Sequence, residues 1–231
     1  MNKTTSQSRN KILTIEYPKD GSHRARKVIS RSKAQPTGKY PSWKMGRMVH
    51  WESPHELNAY RILDADPEVL RFHEQPLVIH FILNGEEHRH YPDVLVEFSA
   101  TRELWEIKPA SEAMNPEVVA RTRLLERELP RKGFAYRMVI GEDLTREPHL
   151  SNALTLLKHG RQQISLLEQE QLRQLFQRGK RITWASALDE LGSNRSRLLC
   201  RSFLEGSVTF DTEQRLGPET NFWNSEQKKR K

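Results

Sequence analysis

Tyr91-Pro92-Asp93-Val94-Leu95-Val96 and Leu104-Trp105-Glu106-Ile107-Lys108 are two apolar runs that carry acids and a lysine where a strand core would otherwise be bland. Twelve residues separate Asp93 from Glu106. Successive strand residues face opposite sides, so Glu106 and Lys108 share a face while Ile107 points into a core. Carboxylate oxygens in that setting suit a hard divalent cation, and a lysine beside them can orient or help deprotonate an attacking water. Pro109 stops the second run and leaves Lys108 at its end. The pattern reads as a metal-dependent phosphodiesterase site, set against the alternative of a solvated Glu-x-Lys edge pair.

Upstream, Ser53-Pro54-His55-Glu56 opens a helix expected to run to about Ala65, with Ser as N-cap and Pro at the first helical position. Its apolar face is Leu57, Tyr60, Ile62 and Leu63, and Asp66-Pro67 ends it. Glu56 has two readings that spacing leaves open. Ser53-x-x-Glu56 is a capping box, which would account for the residue fully; alternatively Glu56 faces Asp93 and contributes to a metal shell. A strand follows from Pro76 to Leu83, closed by the hairpin dipeptide Asn84-Gly85. The returning strand is expected over 87–98, carrying Asp93, and a third over 103–108. Asn115-Pro116-Glu117 starts a helix to about Arg131, and 134–140 is another strand. This order predicts an α/β fold with a mixed sheet. His88 and His90 alternate on one strand face, but Glu86-Glu87 and Arg89 around them point to wet surface histidines rather than a two-histidine metal site.

Composition bounds the rest. The chain has 231 residues and 35% hydrophobic content, with no apolar run long enough to span a membrane and no apolar segment behind the polar N-terminus to act as a signal peptide. Cys200 is the only cysteine, which excludes an intramolecular disulfide and suits the cytoplasm; within Leu198–Phe203 it reads as a small buried hydrophobe. Net charge is +8, unevenly spread: residues 1–48 hold twelve Lys/Arg against Glu16 and Asp20, and 228–231 read Lys-Lys-Arg-Lys, so the stretch between them is net acidic. Residues 1–40 are expected to be a basic, partly disordered arm, with order beginning near Trp43, and 226–231 a basic tail. Such flanks are the footprint of phosphate binding, and they suggest Lys44 and Arg47 as DNA contacts. A catalytic domain over 41–148 is followed by a second domain over 149–225. There the pattern is helical: Ile164–Arg178, Thr183–Leu191 and Ser193–Phe203, then a hairpin from Ser207–Phe210 returning near Arg215. Helix, turn, helix and hairpin outline a winged helix, turning at Gly192-Ser-Asn, with Arg195, Arg197 and Arg201 along the second helix as candidate DNA contacts; a small helical protein-docking domain is the alternative.

Taken in order, Gly46-Arg-Met-Val-His-Trp-Glu-Ser-Pro-His-Glu-Leu57, Asp66-Pro-Glu-Val69, Glu74-Gln-Pro76, Tyr91-Pro-Asp93 and Glu106-Ile-Lys-Pro109 resemble the N-terminal nuclease domain of TnsA, the endonuclease subunit of heteromeric bacterial cut-and-paste transposases. The resemblance covers about 40–145 and implies a restriction-endonuclease-like fold. It carries a catalytic glutamate onto Glu56, an aspartate onto Asp93 and a lysine onto Lys108. Glu106 stands where the best-known members have glutamine, as in ordinary restriction nucleases. The resemblance further implies cleavage of the 5′ ends of a transposon in double-stranded DNA, in a nucleoid-associated, cytoplasmic setting. The implied partners are an RNase H-like transposase (TnsB-type) and an ATP-dependent regulator (TnsC-type). Mg²⁺, replaceable by Mn²⁺, would be held by Asp93, Glu106 and the Ile107 carbonyl, with Glu56 completing the site. Two other readings remain: a stand-alone restriction, repair or junction-resolving nuclease of the same fold, and a DNA-binding or assembly adaptor with a decayed site.

Overall fold

The computed structural model describes residues 10–19, 22–25, 36–176, 181–192 and 195–225. The chain divides into two units, Met1–Leu57 with Val69–Asp143, and Asn58–Glu68 with Leu144–Lys231. The second unit therefore begins earlier than the expected boundary at 148 and also takes most of the first helix.

Among the described residues the first unit holds three sheets. A four-stranded sheet runs in the order β4 (Val69–Glu74), β7 (Val94–Phe98), β8 (Arg102–Lys108), β9 (Ala135–Ile140). Its first two pairings are antiparallel and β8–β9 is parallel, so the sheet is mixed. The parallel connection is supplied by α3 (Pro116–Glu128), capped by Asn115, whose side chain accepts from the Glu117 amide; a short helical turn, α2 (Ala110–Ala113), precedes it. A second sheet orders β1 (Lys11–Glu16), β5 (Val78–Leu83) and β6 (Glu86–His90). Leu77, Ile79, Phe81, Leu95, Leu104, Leu124, Leu125 and Leu129 form one buried core between these sheets and α3. A third pair, β2 (Gly38–Ser42) with β3 (Arg47–Trp51), is tied to the end of β4 by a bidentate bond from Arg47 to the buried Glu74 at 2.8 and 2.6 Å.

Two expectations are corrected here. Order does not begin near Trp43: β1 lies within the supposed arm and β2 starts there, because Ile12 and Ile15 pack on the core and β1 pairs with β5. The remainder of the arm at 1–9, 20–21 and 26–35, and the tail 226–231, lie outside the described residues. The single returning strand over 87–98 is two strands in two different sheets. The Asn84-Gly85 hairpin forms, with φ of 54° and 88°, and joins β5 to β6. The chain then leaves that ladder at Tyr91-Pro92-Asp93, where proline has no amide to donate, and re-enters as β7 beside β4 and β8.

The helix expected from Ser53 is α1 (Pro54–Ala65). Beyond its first turn its buried residues are Ala59, Tyr60, Leu63, Asp64 and Ala65; Asp64 has Arg161 3.7 Å away. The second unit adds α4 (His149–Gly160), α5 (Leu166–Leu175), β10 (Ile182–Thr183), α6 (Trp184–Leu191), α7 (Ser196–Leu204), β11 (Val208–Thr209) and β12 (Asn221–Asn224). α4 meets α7 closely at Gly160, where an added Cβ would lie 2.7 Å from a Leu204 methyl and 2.9 Å from the Cys200 backbone. Phe203, Phe210, Phe222 and Trp184 form a continuous aromatic core with neighbouring centroids 4.9–5.7 Å apart. Cys200 is buried there, and burial pushes its thiol up to about 12. The expected hairpin return near Arg215 is a loop instead. Asn152 on α4 donates to the Thr212 and Gln214 carbonyls and accepts from the Leu216 amide, which holds the chain away from β11 until β12. β12 then pairs antiparallel with both β10 and β11. Residues 177–180 and 193–194, which include the end of the expected helix over 164–178 and the expected turn, lie outside the described residues. Among the described residues no helix is long and apolar enough to cross a membrane.

Candidate active site

Asp93 is placed by the break between β6 and β7. Its amide donates to the Trp105 carbonyl (2.9 Å), its carbonyl accepts from the Gln75 amide (2.8 Å), and its Oδ2 accepts from the Ile107 amide (2.7 Å). The aspartate is thus held against β8 by both main chain and side chain. Glu106 and Lys108 share one face of β8, as period-two alternation requires, with Lys108 Nζ 3.6 Å from Glu106 Oε1.

Glu106 is buried and surrounded. His90 Nε2 lies 3.2 Å from its Oε2, Arg121 Nη2 lies 3.1 Å from its Oε1, and the Tyr136 hydroxyl is 3.0 Å from the same His90 nitrogen. Of the two histidines expected on a wet surface, only one is there. His88 is exposed and stacked on Phe81, but His90 is buried at the last position of β6, where the chain turns inward towards Asp93. Arg121, one turn into α3, was not singled out from sequence at all. The signal available for it was the helix face that brings Ala120, Leu124 and Leu125 to the core beside β8.

Glu56 meets half of the capping box the spacing allows: its amide donates to Ser53 Oγ (3.2 Å), but its Oε2 accepts from the Glu52 amide (2.8 Å) rather than from that of Ser53. Its electrostatics tie it to Asp93. Burial, then the charge of Asp93, pushes the Glu56 carboxyl up to about 8. Burial, then Asp93 again, pushes Glu106 up to about 7, against the opposing charges of Arg121 and Lys108. Burial raises Asp93 to about 6, with the Ile107 amide and Lys108 opposing and Glu52 contributing. His90 is held well below its usual range by burial and by the Arg121 and Lys108 charges, so it stays neutral. Asp93 is therefore the common neighbour of Glu56 and Glu106, and both acids feel its charge.

This donor set fits a hard divalent cation: three carboxylates that resist ionisation because they are buried, two of them also because of the Asp93 charge, are relieved by a positive ion. Among the described residues no three His, Cys, Asp or Glu side chains converge closely enough to hold a metal ion; the three acids are bonded instead to the Glu52 amide, the Ile107 amide and Arg121. Gly141 lies against the start of α1, where a Cβ would come within 2.4–2.7 Å of the His55 ring. Gly141→Ala is expected to displace His55 and its neighbour Glu56 and to lower stability by about 1–3 kcal/mol in a denaturant titration, as overpacking does.

The candidate DNA contacts are engaged within their own units. Lys44 Nζ donates to the Val69 carbonyl (2.6 Å), and Arg47 holds Glu74. Arg195 donates to Gln171, Arg197 to Glu168 and the Gln163 carbonyl, and Arg201 to Glu205 and the Arg161 carbonyl.

No curated protein matches this chain. Residues 66–140, from the end of α1 through β9, match the family described as TnsA-like endonuclease N terminal, a stretch that contains Asp93, Glu106 and Lys108 and stops short of Glu56. That match supports a TnsA-like N-terminal nuclease domain in the first unit, whose mixed sheet agrees with it.

Proposed function

We propose that the first unit is a divalent-ion-dependent DNA endonuclease that cuts the 5′ ends of a transposon as one subunit of a cut-and-paste transposase. The observation that carries this reading is the gathering of Asp93, Glu106 and Lys108 around the β6–β7 break, inside the residues that match the nuclease family. Asp93, Glu106 and the Ile107 carbonyl would hold Mg²⁺ or Mn²⁺, with Glu56 contributing once it leaves the Glu52 amide. Bound there, the ion would polarise the scissile phosphate and stabilise the departing oxyanion. Lys108, at the strand end and partly exposed, orients the attacking water and favours its deprotonation. Arg121 and neutral His90 keep the Glu106 carboxylate in one orientation, and the Tyr136 hydroxyl in turn holds His90.

The transposase setting comes from the family resemblance. It assigns the 3′ ends to an RNase H-like transposase and target choice to an ATP-dependent regulator. The second unit, in which two helices precede a strand pair and β10 joins β12, supports a winged-helix-like docking domain for DNA or the regulator. A stand-alone nuclease of this fold would nick DNA without partners; the proposed subunit gains its activity on transposon ends when the partner transposase is added.

The first test is the thermal shift of the wild type and of Asp93→Ala with Mg²⁺ or Mn²⁺. An ion at a hundred times its dissociation constant stabilises a fold by about 2.7 kcal/mol. The expected result is a shift in the wild type that Asp93→Ala abolishes. An identical shift in the variant, or none in the wild type with and without DNA, would move the reading to a non-catalytic adaptor.

A further inference from the structure

Beside the acids, the first unit contains a cavity of about 190 Å³ lined by Arg24, Thr37, Lys39, His50, Trp51 and Gln75, with Glu52 on the wall it shares with the site. Three observations set it apart from an ordinary surface dent. First, although Glu52 shares the wall, neither the Arg24 guanidinium nor the Lys39 ammonium has an ion-pair partner among the described residues. Both act on His50, which burial and then the Arg24 and Lys39 charges keep below its usual range.

Second, Gln75 is more than nine-tenths buried, and its Oε1 has no hydrogen-bond partner among the described residues. Its Nε2 is already committed to Glu52 Oε1 at 2.8 Å. A buried acceptor left unpaired costs about 1–3 kcal/mol, a cost removed by a ligand that brings an N–H or O–H group.

Third, Gln75 is one of two non-glycine residues in the left-handed region among the described residues, with φ 44°. The other, Asn84, belongs to a hairpin turn that favours it; Gln75 has no such turn chemistry. Its main chain is fixed on both sides, accepting from the Ala25 amide (2.9 Å) and donating to the Asp93 carbonyl (2.8 Å). Those two bonds hold the Arg24 segment and the catalytic aspartate on either side of one residue. Strained backbone of this kind gathers at ligand clamps and active sites.

We propose that this cavity is a nucleotide subsite for the DNA strand being cut. Arg24, Lys39 and His50 receive a phosphate flanking the scissile one, and Gln75 Oε1 accepts from an N–H of the adjoining base. The proposal rests on the nuclease reading of the first unit. The chemistry favours a nucleotide over a free anion because the wall carries the Glu52 carboxylate and the Gln75 acceptor as well as the cations. A sulfate or inorganic phosphate satisfies only the cationic side. Glu52 also couples the subsite to the chemistry: its amide holds Glu56 and its charge acts on Asp93. A strand seated in the cavity therefore lies one residue from both acids.

The test is binding of a dye-labelled DNA duplex to the full chain in EDTA, followed by anisotropy between about 50 and 200 mM salt, where phosphate contacts dominate affinity. Three proteins are compared: wild type, Arg24→Ala/Lys39→Ala, and the charge-matched control Arg131→Ala/Lys132→Ala, whose side chains are exposed on the turn after α3. The subsite variant is expected to bind roughly tenfold more weakly, with a salt slope shallower by about 1–2, since each phosphate contact contributes about 0.9 to that slope. The control keeps the wild-type slope. A wild-type slope in Arg24→Ala/Lys39→Ala overturns the subsite, as does an equal loss in the control, which would mean diffuse attraction, or no duplex binding by the wild type. Metal-dependent nicking plays no part in this readout. Failure of the subsite and failure of the nuclease assignment are thus separate results.

Discussion

Replacing Asp93 by alanine is expected to reduce strand nicking by about a thousandfold or more while the protein remains folded and bound to DNA. Asp93 is the one acid whose charge acts on both Glu56 and Glu106, and its Oδ2 fixes the Ile107 amide beside it. Removing it takes away the shared carboxylate of the proposed ion site. A bound ion contributes several kcal/mol of transition-state stabilisation, and each ~1.4 kcal/mol is tenfold in rate. Lys108→Ala should show a comparable loss by another route, since Lys108 acts on the water. The two variants separate in the thermal shift with Mn²⁺, which Asp93→Ala loses and Lys108→Ala keeps. Single-turnover nicking of a transposon-end duplex, with partner transposase present, is the measurement. Wild-type rates in either variant would remove that residue from the site, and wild-type rates in both would end the assignment.

The second large effect is on stability, and its sign follows from the same acids. Glu56 and Glu106 have folded-state pKa values of about 8 and about 7, above the ordinary value of 4.5. The folded protein therefore holds protons that the unfolded chain has released, and stability falls as pH rises through that interval. His50, His73 and His90 are shifted down from 6.5 and act in the opposite direction, adding stability as pH rises towards 6.5. The clear window is thus above 6.5 and up to about 8. Across it the unfolding free energy in EDTA is expected to drop by about 1–2 kcal/mol, most of it from Glu56 and partly offset by the three histidines, whose unfolded forms are still losing protons just above 6.5. Glu56→Gln should flatten most of the decline, and saturating Mg²⁺ should cancel it, because the ion favours the ionised carboxylates. Urea titrations at pH 6.5 and 8, with and without Mg²⁺, read all three results. A decline that survives both Glu56→Gln and Mg²⁺ would locate its source elsewhere.

What was legible in the chain itself was whatever short-range chemistry decides. Asn84-Gly85 specified its hairpin because only such residues enter positive φ cheaply, and Asn115-Pro116 specified the start of α3 because both act within one turn. Strand alternation alone put Glu106 and Lys108 on one face. Asp93 could be named, but its setting could not. A continuous strand over 87–98 satisfies local propensity, and only pairing with β4 and β8 in another sheet shows the break at Tyr91–Asp93 that creates the site. β1 was hidden for the same reason: six residues of Lys-Ile-Leu-Thr-Ile-Glu become a strand by bonding to β5 more than sixty positions away.

The tertiary structure alone decided which groups surround the acids. His90 reads as a wet hairpin residue until β6 ends beside Glu106, and Arg121 is one of several arginines on α3 until that helix packs on the core. It decided the cations as well, committing Lys44 and Arg47 to the fold while leaving Arg24 and Lys39 to face a cavity. A residue's identity and near neighbours determine what chemistry it can perform. Burial, mutual charge and long-range pairing determine whether it is placed to perform it, and those are properties of residues distant in sequence and adjacent in space.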